Sequence, residues 1–356
     1  MQEDKILSAF KDDLSKAGIM GAFQHENAQD WQDTFAKLEY VPALSTPAFN
    51  SYQKEYKSGS TETFVDTSIV IYHGTKPAGI WSTNITSAGT HAILGSNTGM
   101  LEPPLFIQGL AEKSRKSLTR QCLEMAEKFC LSRGDKKLTS AISFRNSIGI
   151  EEWQQACMSR GSEVSVEHEL YTDLSLDIST IKSKFRKSYK SLITRGRALW
   201  DVNVLSNRDD NTWREFQALH RDVAGRQTRS SESWNIQHDA VASGDAFLVY
   251  LRDQDQRMIG GGFFHISKDE ALYAVGAYDR ALFDKPVGHV VQFVAIEEMK
   301  KRNIRWYKIG QRHYLTDKPT PSEKELQIAE FKQGFASHIF PRYILTHNFN
   351  ETETPR

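Results

Sequence analysis

Two stretches of this 356-residue chain spell the same succession of elements, and any fold must accommodate both. In the first, Phe64–His73 reads as a strand, Gly74-Thr-Lys-Pro77 as a turn and Ala78–Ile85 as a second strand. In the second, Ala246–Arg252 reads as a strand, Asp253-Gln-Asp-Gln256 turns, Met258–Ile266 returns and Ala271–Tyr278 makes a third strand. Each hairpin leads to an amphipathic helix. Leu118, Cys122, Met125, Ala126 and Phe129 share a face in the first half. Val287, Val290, Val291, Val294 and Ala295 fall at i, i+3, i+4, i+7 and i+8 in the second. Each helix ends in a basic segment bearing Gly or Asn, Ser132-Arg-Gly134 or Lys300-Lys-Arg-Asn303, and a further strand follows, Leu138–Phe144 or Ile304–Ile309. The repeat is one of element order, without residue-level identity between the halves.

Length agrees with two domains, at roughly 100–200 residues each. At the junction His168–Ser175 alternates like a strand. Ile181–Arg197 then reads as a basic helix carrying Lys182, Lys184, Arg186, Lys187, Lys190, Arg195 and Arg197, with Phe185, Leu192 and Ile193 as its apolar positions. Its charges are either a solvated face or a phosphate-facing surface. The expectation is an α/β protein of two lobes, residues 1–177 and 178–356, with the boundary near Ser175–Lys182 and a mixed sheet plus a packed helix in each.

Lys+Arg and Asp+Glu both number 45, so no global charge drives binding to nucleic acid or membrane. No apolar run approaches the roughly 18 residues that span a bilayer, and the acidic start, Met1-Gln-Glu-Asp4, lacks the apolar stretch of a secretory signal. Three cysteines, Cys122, Cys130 and Cys157, form neither a CxxC nor a metal spacing. Buried thiols in a reducing cytoplasm are expected. A Gly-x-Ser-x-Gly elbow, a Walker loop and Rossmann glycines are absent, which argues against hydrolase, NTPase and dehydrogenase. No His/Cys/Asp cluster has metal spacing.

Near the C-terminus Tyr307-Lys-Ile-Gly-Gln311 reads as a buried strand with a polar end, and Ala329-Glu-Phe-Lys-Gln-Gly-Phe335 follows about twenty residues later. This spacing resembles the C-terminal signature of the FemAB family, tandem GNAT-like acyltransferases. Hairpin, strand, helix, strand is likewise similar to the order of a GNAT core, and a strand followed by a Lys/Arg-rich helix resembles the FemAB junction. The resemblance runs from about Trp31 to Tyr343. It implies two tandem GNAT-like lobes and transfer of an acyl or aminoacyl group to an amino sugar or a nucleotide-linked cell-envelope precursor. Acyl-CoA, such as acetyl-CoA, or aminoacyl-tRNA is the implied donor. A sugar or sugar nucleotide is the implied acceptor, with tRNA as a further partner and no membrane insertion. The alternatives are an acyl-CoA-dependent N-acetyltransferase of a surface-glycan sugar, and a non-catalytic protein that binds sugar nucleotide or a partner.

Candidate residues follow. Arg226 and Arg229 flank a turn begun by Gly225, with Gln227 between them. Ser230 or Ser231 precedes a helical stretch, Glu232–Ala242, that holds Trp234. Two arginine forks beside a helix N-terminus suit a phosphate or carboxylate of the acceptor; the bland reading pairs them with Asp222 and Glu232. Gly276 inside a strand marks a bulge, a close approach or small-residue packing, and Gly260-Gly-Gly262 also suggests close approach. The Gly-rich pyrophosphate loop of acyl-CoA-dependent GNATs is missing from Asp279–His289. Gly288 at the helix start, with Arg280 and Lys285 nearby, is the remaining donor site. For the chemistry the candidates are Lys332, His289, Tyr278, Asp279 and Gln311, with Arg312 on the acceptor. If 330–332 is extended, Glu330 and Lys332 face one side, Phe331 anchors the other, and Gly334 lets the chain turn. Lys332 and Gln311 are then expected to point into a cleft between the lobes. His220, His265, His313 and His338 read as packing or surface residues.

Overall fold

The computed structural model describes residues 2–58, 63–88, 91–147 and 149–349. The chain divides into two compact units, one of Met1–Val41, Lys57–Val166 and Pro341–Arg356, the other of Pro42–Tyr56 and Glu167–Phe340. The sequence boundary at 177/178 therefore differs from the compact division in three places. Residues 42–56 leave the first half, residues 341–356 leave the second, and the strand at the junction changes unit at 166/167. These segments find their apolar partners far away in sequence. Ala48 packs into the second unit's core, and Leu345 into the first unit's.

The first unit starts with α1 (Gln2–Lys16), β1 (Met20–Phe23) and α2 (Ala28–Lys37); α3 (Pro47–Ser58) follows in sequence and lies largely in the other unit. Then come β2 (Thr63–Asp66), β3 (Ile69–His73), β4 (Lys76–Trp81), β5 (Asn84–Ala88), β6 (His91–Gly95), β7 (Leu105–Phe106), α4 (Glu112–Ser132), β8 (Lys137–Ile142) and α5 (Glu152–Ser159). Phe64–His73 is thus not one strand. Asp66 Oδ1 accepts from Ser68 N at 2.9 Å, and Thr67 and Thr83 join their hydroxyls at 2.8 Å. That side-chain turn, of the kind that competes with a ladder, sends β2 to β5 and β3 to β4, in separate sheets. Ala78–Ile85 breaks at the same level. Cys122, Cys130 and Cys157 are free and buried, and burial pushes their thiols up, Cys130 to about 12 and Cys157 to about 11.

The second unit holds β9 (Glu163–Asp173, from Glu167 on), α6 (Ile178–Lys184), α7 (Lys187–Leu199), β10 (Asp201–Leu205), α8 (Asp210–Ala224), α9 (Ser231–Ser243), β11 (Ala246–Arg252), β12 (Met258–Ile266), β13 (Glu270–Tyr278), α10 (Val287–Lys301), β14 (Trp306–Arg312) and α11 (Glu323–Gln333). The last strand, β15 (His338–Asn348), pairs with β8 over Tyr343–Asn348. Strands run in the order β10-β11-β12-β13-β14-β9, all antiparallel except β13 with β14. One face carries α7 and α10 on Phe247, Ile259, Phe264 and Ile309. The other carries α8 and α9 on Leu248 and Phe263, with Ala48 alongside. Strand alternation sends neighbouring residues to opposite faces, which is why the second hairpin is apolar almost throughout.

The basic helix expected over Ile181–Arg197 is two helices. Phe185 adopts an extended backbone and drops into the core against Phe293 and Phe335, and Arg186 N donates to Gly334 O at 2.9 Å. Glu323–Gln333 is helical rather than extended, started by a capping box in which Ser322 and Glu325 bond each other's backbone N–H. Gly334 keeps an ordinary helical φ of −61°. A Cβ there would lie 2.2 Å from the Tyr189 ring, so close packing rather than a turn needs that glycine.

Candidate active site

The second unit's sheet opens in its middle. Parallel pairing of β13 with β14 covers only Glu270↔Trp306, Ala271↔Tyr307 and Leu272↔Lys308. Beyond it β13 follows β12, with a register shift between Phe263 and Phe264, while β14 follows β9. The two strands part and leave a wedge.

Side chains from four elements meet there. Tyr273 and Tyr278 of β13 join their hydroxyls at 2.8 Å. Gly276 makes this possible, because a Cβ at that position would sit 1.9 Å from the Tyr273 hydroxyl oxygen. From α10, Gln292 accepts from the Tyr307 hydroxyl, while its own Nε2 is buried and has no hydrogen-bond partner among the described residues. From α11, Lys332 brings its Nζ to 5.4 Å from the Tyr273 ring centre. Gly310, with φ +142°, leaves the room: a Cβ there would be 2.7 Å from that Nζ. Among the described residues Lys332 has no carboxylate within ion-pair distance, and burial holds its pKa below the ordinary lysine value. Burial also raises both tyrosines, Tyr273 to about 12 and Tyr278 further, so they are neutral hydroxyls.

His289, at the start of α10, stands edge-on to Tyr189 at 4.4 Å and to Phe331 at 5.1 Å. Burial, with Arg186 as a lesser cause, lowers its pKa to about 4, and the imidazole is neutral at pH 7. Gly288 lies under Phe331 and Tyr278, at 3.2 Å and 3.6 Å from a Cβ built there. α10 has Pro286 at its N-cap and no side chain bonding its first N–H groups.

Of the residues expected to do chemistry, Lys332 and Tyr278 meet at this wedge with Gly288 beside Tyr278, while His289 faces the Tyr189, Phe331 and Phe335 rings. Asp279 does not join the wedge. Its carboxylate caps the turn at Ala281 and pairs with Arg257 at 3.1 Å. Gln311 and Arg312 belong to β14 itself, opposite Glu169 and His168, rather than emerging where the strand stops. Gln311 Nε2 donates to Glu167 at 2.9 Å, and Arg312 Nε to Gln333 at 2.6 Å. Arg280 donates to the Val223 carbonyl, and Lys285 pairs with Asp284.

Arg226 and Arg229 have different surroundings. Arg229 is stacked 4.6 Å from the Trp234 ring, with Tyr52 at 5.9 Å, and donates to Gln237 at 3.0 Å. Arg226 lines a hollow of about 330 Å³ with Arg214, His220, Arg221, Gln227, Thr228, Ser231 and Trp234, and no carboxylate is among the lining residues. Ser230 caps α9 by accepting from Ser233 N at 3.0 Å, and its hydroxyl donates to Glu55 at 2.8 Å. Neither Asp222 nor Glu232 pairs with the arginines among the described residues.

Sequence reasoning missed Tyr273, Gln292, Tyr307 and Gly310. Gln292 offered a signal, as one amide in the otherwise apolar run Val290–Ile296. The others look like ordinary strand residues until the strands diverge. Among the described residues no group of three His, Cys, Asp or Glu side chains is placed to hold a metal ion, and no helix is long and apolar enough to cross a membrane.

Residues 183–318 match the family described as acetyltransferase (GNAT) domain. No curated protein sequence matches the chain. Among solved structures, FemX is similar over 92% of this chain and 96% of its own, with a TM-score of 0.66 and 10% identity. L-PGS from Bacillus licheniformis covers 93% and 92%, with a TM-score of 0.58 and 10% identity. A tandem GNAT protein from the clavulanic acid biosynthesis pathway covers 94% and 99%, with a TM-score of 0.50 and 12% identity. The domain match places an acetyltransferase (GNAT) domain within the second unit, and the chain as a whole shares the fold of FemX and of the tandem GNAT protein.

Proposed function

We propose that the protein transfers an acyl or aminoacyl group to the amino group of an amino sugar or a nucleotide-linked cell-envelope precursor. The observation that carries this is the ammonium of Lys332, held without a carboxylate partner where β13 and β14 part. N-acyl transfer forms a C–N bond to a carbonyl carbon, breaks that carbon's bond to the donor's sulfur or oxygen, and sheds the amine proton. Negative charge collects on the carbonyl oxygen in between. A fixed cation in a water-poor site stabilises it far better than one in bulk water. Lys332 is the proposed stabiliser. Neutral His289 is the proposed proton acceptor, and the Tyr273–Tyr278 hydroxyl pair the proposed relay. Asp279 and Gln311, engaged elsewhere, have supporting roles in this reading.

Two features bear on the donor. The uncapped N-terminus of α10 at Gly288 suits a donor phosphate, with Arg280 and Lys285 nearby, and favours acetyl-CoA. The single glycine in Asp279–His289 favours aminoacyl-tRNA. On the acceptor side, the carboxylate-free hollow at Arg226 suits a phosphate. Three buried free thiols fit a cytoplasmic setting.

The test is transfer of label from acetyl-CoA or from aminoacyl-tRNA onto amino-sugar nucleotides, with mass spectrometry of whatever ligand co-purifies. Transfer from one donor, lost in Lys332→Ala and partly restored in Lys332→Arg, supports the reading. Folded protein that moves no label from either donor removes it.

A further inference from the structure

Between Ile178 and Trp200 the chain carries seven lysines and arginines and no acidic residue. The fold turns most of them outward. On α7 the solvent face is Lys187, Lys190, Ser191, Thr194, Arg195 and Ala198, spaced at i, i+3, i+4, i+7, i+8 and i+11, while Tyr189, Ile193 and Gly196 face the core. Lys184 at the end of α6 is exposed too. Arg186 and Arg197 pair with Glu330 and Glu297. Lys184, Lys187 and Lys190 have no carboxylate within ion-pair distance among the described residues.

This face has an apolar edge. Gly196 packs against Pro286 and Val290. The turn before α10 therefore lies beside the last turn of α7. Phe283 in that turn is 68% exposed and Leu199 at the end of α7 is 48% exposed, so two large apolar side chains face water at the C-terminal end of the basic helix.

We propose that the outer face of α6 and α7 docks on an anionic bilayer surface, with Lys184, Lys187, Lys190 and Arg195 over the phosphates and Phe283 and Leu199 entering the interface. The inference stands apart from the acyl-transfer reading. Charge complementarity selects an anionic partner. The apolar edge selects a bilayer over a phosphate backbone, because headgroup and acyl boundary offer a place for both kinds of side chain. An RNA backbone satisfies the lysines and leaves Leu199 in water.

Full-length protein is floated with vesicles of phosphatidylglycerol and phosphatidylcholine in equal parts, and with vesicles of phosphatidylcholine alone. Binding to the first, little to the second, and weakening with salt are expected. Lys187→Glu with Lys190→Glu should lower partitioning by roughly tenfold or more, and Phe283→Ala should lower it several-fold with the salt dependence kept. Lys187→Gln with Lys190→Gln gives the intermediate value and guards against a fold defect in the Glu pair. Failure of the wild type to bind anionic vesicles overturns the proposal, as does unchanged binding by folded Lys variants. Retention of mixed tRNA that depends on Lys187 and Lys190, without vesicle binding, assigns the face to RNA and overturns it too.

Discussion

Replacing Lys332 by Met separates a working cation from a structural one, because stability and activity should respond differently. Methionine keeps an unbranched side chain of similar length against Tyr273 and Gly310 and removes the charge. Folding loses a cation–π contact with Tyr273 at 5.4 Å, worth about 2 kcal/mol for a desolvated cation. It gains relief from burying an ammonium that has no carboxylate partner. The two oppose, so the net change should stay within about 1 kcal/mol, or 2–4 °C for a unit of this size. The pH dependence has a definite sign. Burial lowers the folded pKa of Lys332 below 10.5, so in that window the unfolded chain binds more protons and stability rises with pH. The methionine variant should lose that contribution. Catalysis has no such compensation. Losing one charge-assisted interaction with a developing oxyanion costs about 1.5–3 kcal/mol, which is about 10- to 150-fold in kcat. The assays are label transfer at saturating donor and thermal unfolding across the alkaline range. A kcat within threefold of wild type at unchanged Tm would refute the role of Lys332, and a Tm lowered by more than about 10 °C would show it to be structural.

Gly276→Ala should cost about 1–3 kcal/mol and cut activity, since its Cβ would displace the Tyr273 hydroxyl; unfolding and transfer assays on the same preparation check both. Arg226→Ala should raise the acceptor's KM with Tm unchanged, whereas Arg229→Ala should lower Tm by removing the guanidinium stacked on Trp234; equal behaviour of the two variants would contradict the assignment. His265 is fully buried beside Phe49 and Phe263, with no hydrogen-bond partner for either ring nitrogen among the described residues, and burial, with Arg229 second, lowers its pKa to about 3. Below its ordinary 6.5 the unfolded chain takes up a proton that the fold refuses, so stability falls on acidification by up to about 1.4 kcal/mol per pH unit. His265→Phe should be more stable than wild type and lose that part of the acid dependence in pH-resolved unfolding.

What the sequence determined by itself was local. Met258–Ile266 and Ala246–Arg252 are strands to the residue, because an uninterrupted apolar run buried on both faces needs no partner to be recognised. The serines at 230 and 231 placed the start of α9 to within a residue, and the valine spacing placed α10. The polar turn at Asp66–Ser68 was also local, but it was concealed inside a run of strand formers. Phe331–Lys332 was legible as a motif and misread as extended, although Ser322 and Glu325 already spelled a capping box ten residues upstream. Tertiary structure decided the site. Lys332 meets Tyr273 only because β13 and β14 pair for three residues and then follow different neighbours. Arg229 differs from Arg226 because its guanidinium lies near the rings of both Trp234 and Tyr52, the latter in a segment far earlier in the chain. Such pairings depend on which strand lies beside which, and on close approaches like that of Gly310 to an ammonium, and neither is encoded in the periodicity of any one segment.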